Sequence, residues 1–160
     1  MSPLTVKELL QNLPQQGQVD WIGLRPARRA NILQVNEVEA LTASGLKGDR
    51  YAGSSGKRQV TLIQTEHLPV IASLLGRPSV EPELLRRNLC VSGINLLALK
   101  DKTFQIGEAV LEFTGLCHPC SFMEETFGAG GYNAIRGHGG INARVVQSGI
   151  IKIHDTIFVI

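Results

Sequence analysis

The sequence predicts a mainly β domain of the α+β class, a mixed barrel-like sheet closed or nearly closed on itself, with a few short helices inserted. Three observations carry that prediction. Segments rich in branched and apolar residues recur at short spacing along the chain, and such segments form strands. They do not alternate regularly with helical segments, so their pairing is expected to be mainly antiparallel. At 160 residues the chain fits one domain that buries roughly two-thirds of its unfolded surface without disulfide or metal staples.

The elements follow in order. "LTVKELLQNLPQQG" places Thr5 and Glu8 at capping-box spacing before apolar Leu9, Leu10 and Leu13, predicting a short peripheral helix. Residues 1–20 are therefore assigned to an N-terminal helical extension and 21–160 to a single domain. "DWIGLRP" and "ILQVNEVEAL" read as strands. Residues 43–56, "ASGLKGDRYAGSSG", have the glycine and serine content of an exposed loop.

"RQVTLIQ" is a strand and "TEHLPVIASLLG" a helix whose Pro69 must fall near its first turn. "SVEPELLRRN" reads as a second short helix, with Ser79 as candidate cap and Pro82 in the opening turn. "LALKDKTFQIGEAVLEFTG" offers two strands around Ile106-Gly107-Glu108. The closing "INARVVQSGIIKIHDTIFVI" offers more, with turns at Ser148-Gly149 and His154-Asp155.

Composition narrows the function. A formal charge of +2 and only five Phe, two Tyr and one Trp argue against a nucleic-acid surface. The N-terminus lacks an apolar leader core, and no stretch approaches the roughly 18 apolar residues of a membrane span. A cytoplasmic protein with neither nucleic-acid nor membrane partners is expected. Three cysteines, an odd number, fit reduced thiols better than a disulfide framework.

Ten of the 16 basic residues are arginine, grouped as Arg25, Arg28 and Arg29, then Arg50 and Arg58, then Arg86 and Arg87. Arginine's planar fork grips phosphate or carboxylate in two places, so a small anionic ligand is expected, with other arginines as solvated surface.

"EFTGLCHPCSFMEE" sets Cys117 and Cys120 either side of His118-Pro119. Four chemistries compete for it. A redox dithiol wants this spacing where a strand feeds a helix, but no βαβ unit precedes it. Structural zinc needs four ligands, and Cys90 and His118 would have to complete the set. Plain burial is common for free thiols. The fourth is a single working thiolate beside an arginine-bearing site. The glycine-rich "GLKGDRYAG" and "IRGHGG" have the composition of anion-cradling backbone.

Together these segments resemble the MOSC domain, named after the C-terminal part of molybdenum cofactor sulfurase, and in particular its small stand-alone bacterial members. The resemblance rests on "GLKGDR", "LLRRNLCVSGINL", "IGEAVLEFTGLCHPC" and "GHGGINARVVQSGIIKIHD" in that order, from about Trp21 to the C-terminus. It implies a MOSC-type β-barrel fold and a role in handling sulfur or molybdenum cofactor. The family's working cysteine matches Cys120, which would carry a persulfide or ligate molybdenum. The family's basic and polar contacts to molybdopterin match Arg28, Arg50, Arg86 or Arg87, Asn88 and Arg144. Unlike the larger relatives, with their pyridoxal-phosphate sulfurase domain or MOSC-N barrel, a stand-alone domain is expected here.

The resemblance further implies sulfur transfer or molybdenum-dependent reduction, with a sulfur acceptor, a cysteine desulfurase or a molybdoenzyme as partner. Either role needs a thiolate, and the helix expected from about Ser121 with a nearby arginine would favour one. His118 is the candidate general acid–base, against a plain turn histidine. His138 is expected to bind an anion or stabilise its loop. The rival reading is a binding module that holds cofactor or sulfur for a partner and catalyses nothing itself.

Overall fold

A computed structural model describes residues 2–50 and 55–160. The strands are β1 (Gly17–Leu24), β2 (Leu33–Val35), β3 (Glu37–Leu41), β4 (Gly45–Leu46), β5 (Val60–Gln64), β6 (Leu89–Ser92), β7 (Thr103–Ile106), β8 (Ala109–Leu116), β9 (Ile141–Gln147), β10 (Gly149–Lys152) and β11 (Thr156–Val159). The helices are α1 (Val6–Gln11), α2 (His67–Leu75), α3 (Pro82–Leu85), α4 (Ser121–Phe127) and α5 (Gly131–Ile135), with a 3-10 turn at Leu96–Leu99.

The main sheet runs β11-β7-β8-β9-β5-β6-β1, and β1 pairs with β11 to close it as a seven-stranded barrel. The long β1 makes closure possible. Its first residues pair with β11 and its last with β2, while β6 lies along its other edge across a register shift between Val19 and Trp21. All the barrel pairings are antiparallel except β5 with β6, which is parallel. Helices α2 and α3 supply the crossover that a parallel pair requires. Strands β10, β3 and β4 form a small separate sheet.

Two apolar clusters explain the strand sequences. One fills the barrel with Val19, Ile22, Leu62, Leu89, Phe104, Leu111 and Val145 among others. The second lies outside the barrel, beneath the helices, and contains Trp21, Ile63, Ile71, Cys90, Met123 and Ile135. Strand β5 is buried at every position because alternate residues serve the two clusters: Leu62 points into the barrel and Ile63 toward the helices. The mainly β barrel with short inserted helices is the fold expected from the sequence.

Several local expectations need correction. "ILQVNEVEAL" is two strands, since β2 pairs with β1 and β3 with β10 in different sheets. Helix α3 begins at Pro82 with Glu81 as N-cap, so Ser79 caps nothing. The same helix ends at Leu85, where Arg86 takes a left-handed conformation (φ 58°). The Thr5/Glu8 capping box forms as expected, and Pro69 falls in the first turn of α2. Residues 51–54 of the predicted glycine-serine loop lie outside the described residues.

Candidate functional site

Strand β8 ends at Leu116, and the chain turns through Cys117–Pro119 into α4 with Cys120 as its N-cap residue. That turn decides the fate of the two thiols. Cys117 is 3% exposed and its N–H donates to the Gly140 carbonyl (2.9 Å), whereas Cys120 is exposed. All three cysteines are free thiols. Cys90 lies in the apolar cluster beneath the helices, where burial pushes its thiol up to about 12. Among the described residues no three His, Cys, Asp or Glu side chains gather to hold a metal.

Cys120 opens into a hollow of about 380 Å³ whose lining includes Arg25, Arg28, Arg29, Arg50, Arg58, Arg86 and Arg87, together with His118 and Phe122. These arginines come from four separate stretches: the end of β1 and its following turn, the "KGDR" loop, the approach to β5, and the α3–β6 connection. The barrel brings them together because β1, β5 and β6 are neighbours in the sheet.

The guanidinia fall into two groups. Four are committed to the protein. Arg25 donates to both oxygens of Asp49 (3.3 and 3.1 Å), and the Asp49 side chain is 1% exposed. Arg87, 7% exposed, donates from Nε to the Gly139 carbonyl (2.8 Å) and from Nη1 to the Leu85 carbonyl (2.9 Å). Its Nη2 reaches the Cys117 and His118 carbonyls at 3.5 Å, so it tethers the cysteine turn to the glycine loop.

Arg86 donates to the Ala30 carbonyl (2.8 Å), and Arg29 pairs with Glu125 (2.8 Å). Both guanidinia also lie over the Phe122 ring, at 5.3 and 4.9 Å. Burial, and then the neighbouring Arg25, lower the Arg86 pKa, while the nearby Cys120 sulfur opposes them. Hydrogen bonding and charge from Glu125 raise the Arg29 pKa, with a smaller contribution from Cys120. Both cations are thus within electrostatic reach of that sulfur.

The second group is Arg28, Arg50 and Arg58. All three are exposed, and none makes a side-chain hydrogen bond or ion pair among the described residues. They face the hollow with their donors unused. No carboxylate lines it among the described residues, so the hollow is a strongly cationic basin.

Of the residues singled out in the sequence, Arg28, Arg50, Arg86, Arg87, His118 and Cys120 all line this hollow. Asn88 does not. It is fully buried, donates to Gly23 O and Asp49 Oδ1 (both 3.1 Å) and accepts from the Thr61 N–H (3.0 Å), so it braces Asp49 from behind. Arg144 lies elsewhere on β9, paired with Glu112 of the adjacent β8. The last two "GHGG" glycines serve close packing, since a Cβ on Gly139 would overlap the Cys117 carbonyl oxygen and one on Gly140 that of Leu62. His138 stacks edge-on against His67 (5.2 Å), and its Nδ1 has no partner among the described residues.

Sequence reasoning left out Arg25, Arg29 and Arg58 as site residues, as well as Asp49 and Phe122. The arginines were visible as clusters, but only the barrel shows which of them converge.

The MOSC domain family matches residues 29–158. The chain belongs to the MOSC domain family. MOSC domains are linked to molybdenum-cofactor and sulfur chemistry. Among curated proteins none matches this chain.

Solved structures with the same fold include the YuaD protein of Bacillus subtilis, with a TM-score of 0.77 at 20% identity over 91% of this chain and 96% of that one. YiiM of Geobacillus stearothermophilus aligns with a TM-score of 0.72 at 16% identity, over 90% of this chain and 75% of that one. YiiM of Escherichia coli aligns with a TM-score of 0.70 at 17% identity, over 89% of this chain and 69% of that one. Across such low identities the barrel is what is shared. No helix among the described residues is long and apolar enough to cross a membrane.

Proposed function

We propose that this MOSC domain binds a molybdopterin-type anionic cofactor in the arginine hollow, with Cys120 as the sulfur presented to it. The observation that carries the reading is the exposed Cys120 thiol opening into a basin with three guanidinia unpaired among the described residues. A free arginine fork suits a phosphate monoester, to which it can donate two parallel hydrogen bonds. A thiolate suits molybdenum, which favours soft donors. The hollow's volume lies in the roughly 300–1,000 Å³ range of small-molecule sites. The residues present therefore fit the group.

Arg28, Arg50 and Arg58 would hold the phosphate, while Arg29 and Arg86, steadied on Phe122, keep positive charge beside the sulfur. Asp49 holds Arg25 in place, and Asn88 holds Asp49. Arg87 fixes the turn that aims Cys120 outward. When bound, the cofactor would supply a redox-active metal centre. The chain's own residues would bind and orient it and present one exposed sulfur to it.

A second reading, persulfide carriage, is favoured by the contrast between buried Cys117 and exposed Cys120. The Cys120 thiolate would attack the outer sulfur of a donor persulfide, releasing the donor's thiolate, and an acceptor nucleophile would later take that sulfur and regenerate the Cys120 thiolate. The neighbouring thiol, being buried, is poorly placed to discharge the persulfide as a disulfide.

Elemental analysis and mass spectrometry of protein purified from its own host without reductant test both readings. Molybdenum near one equivalent, lost in Cys120→Ser, supports cofactor binding. An added sulfur atom on Cys120 supports carriage. Unmodified Cys120 with no molybdenum overturns both.

A further inference from the structure

A second cavity of about 430 Å³ lies next to the arginine hollow and shares Cys117 and His118 with it. Its chemistry is the opposite. Leu96, Leu97, Leu116, Pro119 and Ile141 supply its apolar side chains, and no Lys, Arg, Asp or Glu lines it among the described residues. Two of these leucines are large apolar side chains left in contact with water: Leu97 is 57% exposed and Leu116 47%.

The polar side chains around it are Gln64, Asn95, His67 and His118. Gln64 is fully used, donating to Glu66 and the Ile94 carbonyl and accepting from the Leu96 N–H. Asn95 spends its carbonyl on the Leu97 N–H (3.2 Å). The His67 ring makes no hydrogen bond among the described residues, and burial, then its neighbour His138, holds its pKa below the ordinary histidine value. A largely apolar, half-open hollow with a few unused hydrogen-bonding groups is the make-up of a small-molecule site, and a lining without Lys, Arg, Asp or Glu selects against ions.

We propose that this cavity binds an uncharged, largely apolar small molecule as a second ligand, separated from the anion in the arginine hollow by the shared Cys117–His118 wall. A carboxylate or phosphate entering it would lose its hydration and find no cation. A neutral ring or short chain would cover Leu97 and Leu116 and reach the His67 or Asn95 edge. The site stands on its own lining and does not depend on what fills the arginine hollow.

The test is fluorescence titration with N-phenyl-1-naphthylamine, a neutral apolar probe. The unmodified protein is expected to bind it saturably at one site, and inorganic phosphate should not displace it. Leu97→Glu or Leu116→Glu, each at a partly exposed position, should weaken binding at least about tenfold by placing a carboxylate in the apolar wall, with the circular dichroism spectrum confirming the fold. Methyl NMR of the unmodified protein should show shifts at Leu96, Leu97, Leu116 and Ile141. Absence of saturable binding, displacement by phosphate, methyl shifts confined to other regions, or equal affinity in a folded glutamate variant would overturn the proposal. None of these readouts involves Cys120 or molybdenum, so this proposal and the cofactor reading fail separately.

Discussion

Cys117 and Cys120 are close in sequence and opposite in circumstance. One is sealed behind the Arg87 tether and the glycine loop, and the other stands at a helix start facing seven arginines. The sequence named Cys120 through its family resemblance, but nothing in "CHPC" itself distinguishes the two thiols. Burial does, and burial comes from β8 meeting β9 and the Cys117 N–H bonding Gly140. His67 shows the same limit. It read as an ordinary residue of α2, yet its contact with His138 joins segments distant in sequence.

Burial and His138 lower the His67 pKa, so the unfolded chain binds a proton there before the folded one does. Stability should therefore fall as pH drops below the ordinary histidine value of about 6.5. Replacing His67 with Asn should flatten the stability profile below about pH 6.5. Denaturant melts across that range measure it, and parallel profiles for the two proteins would rule out the effect.

At the scale of elements, the site depends on connections more than on regular structure. Arg86 and Arg29 both occupy left-handed backbone (φ 58° and 60°), uncommon for residues with a Cβ. Each such residue costs roughly 1–3 kcal/mol unless its surroundings fix it. Here the Ala30 carbonyl, Glu125 and the Phe122 ring do so. Propensity cannot reveal this. "LLRRN" looks helical, and the chain leaves the helix at Arg86 because Asn88 and Leu89 must enter the barrel beside β5.

Arg87 offers a sharper check. It serves as a geometric fork, with donors on the carbonyls of Gly139 and Leu85 and longer contacts to those of Cys117 and His118. Lysine keeps the charge but cannot reach several carbonyls at once. Arg87→Lys should destabilise the fold by about 2 kcal/mol, read as a lowered unfolding midpoint in urea. An unchanged midpoint would mean that charge alone matters at this position.

For the whole molecule, barrel closure is what gathers the arginines. Strands β1, β5 and β6 are adjacent in the sheet while far apart in the chain. The mainly antiparallel pairing was legible because turn residues punctuate the sequence, but the strand count was not: β4 lies inside the predicted loop 43–56, and β6 was not read as a strand. The parallel β5–β6 pair was not legible either, since its helical crossover resembles any inserted helix. The closing β1–β11 contact was equally hidden, because it joins the two ends of the domain.

Helix α1 lies outside this architecture and buries none of its residues. Its capping box gives it local order without tertiary weight. Removing residues 1–11 should change unfolding free energy by less than about 1 kcal/mol, whereas a larger loss in urea melts would show that the helix supports the barrel.

The central claim is that the Cys120 sulfur lies in a field of positive charge able to hold an anion. Comparing the alkylation rates of Cys120 by iodoacetate, which is anionic, and iodoacetamide, which is neutral, measures that field directly. The account predicts an iodoacetate-to-iodoacetamide ratio on the order of tenfold above that of a free small thiol. The excess should decline as salt screens the arginines and collapse when Arg28, Arg50 and Arg58 are replaced together by serine. A ratio equal to the free thiol's, indifferent to salt and to those substitutions, would contradict it.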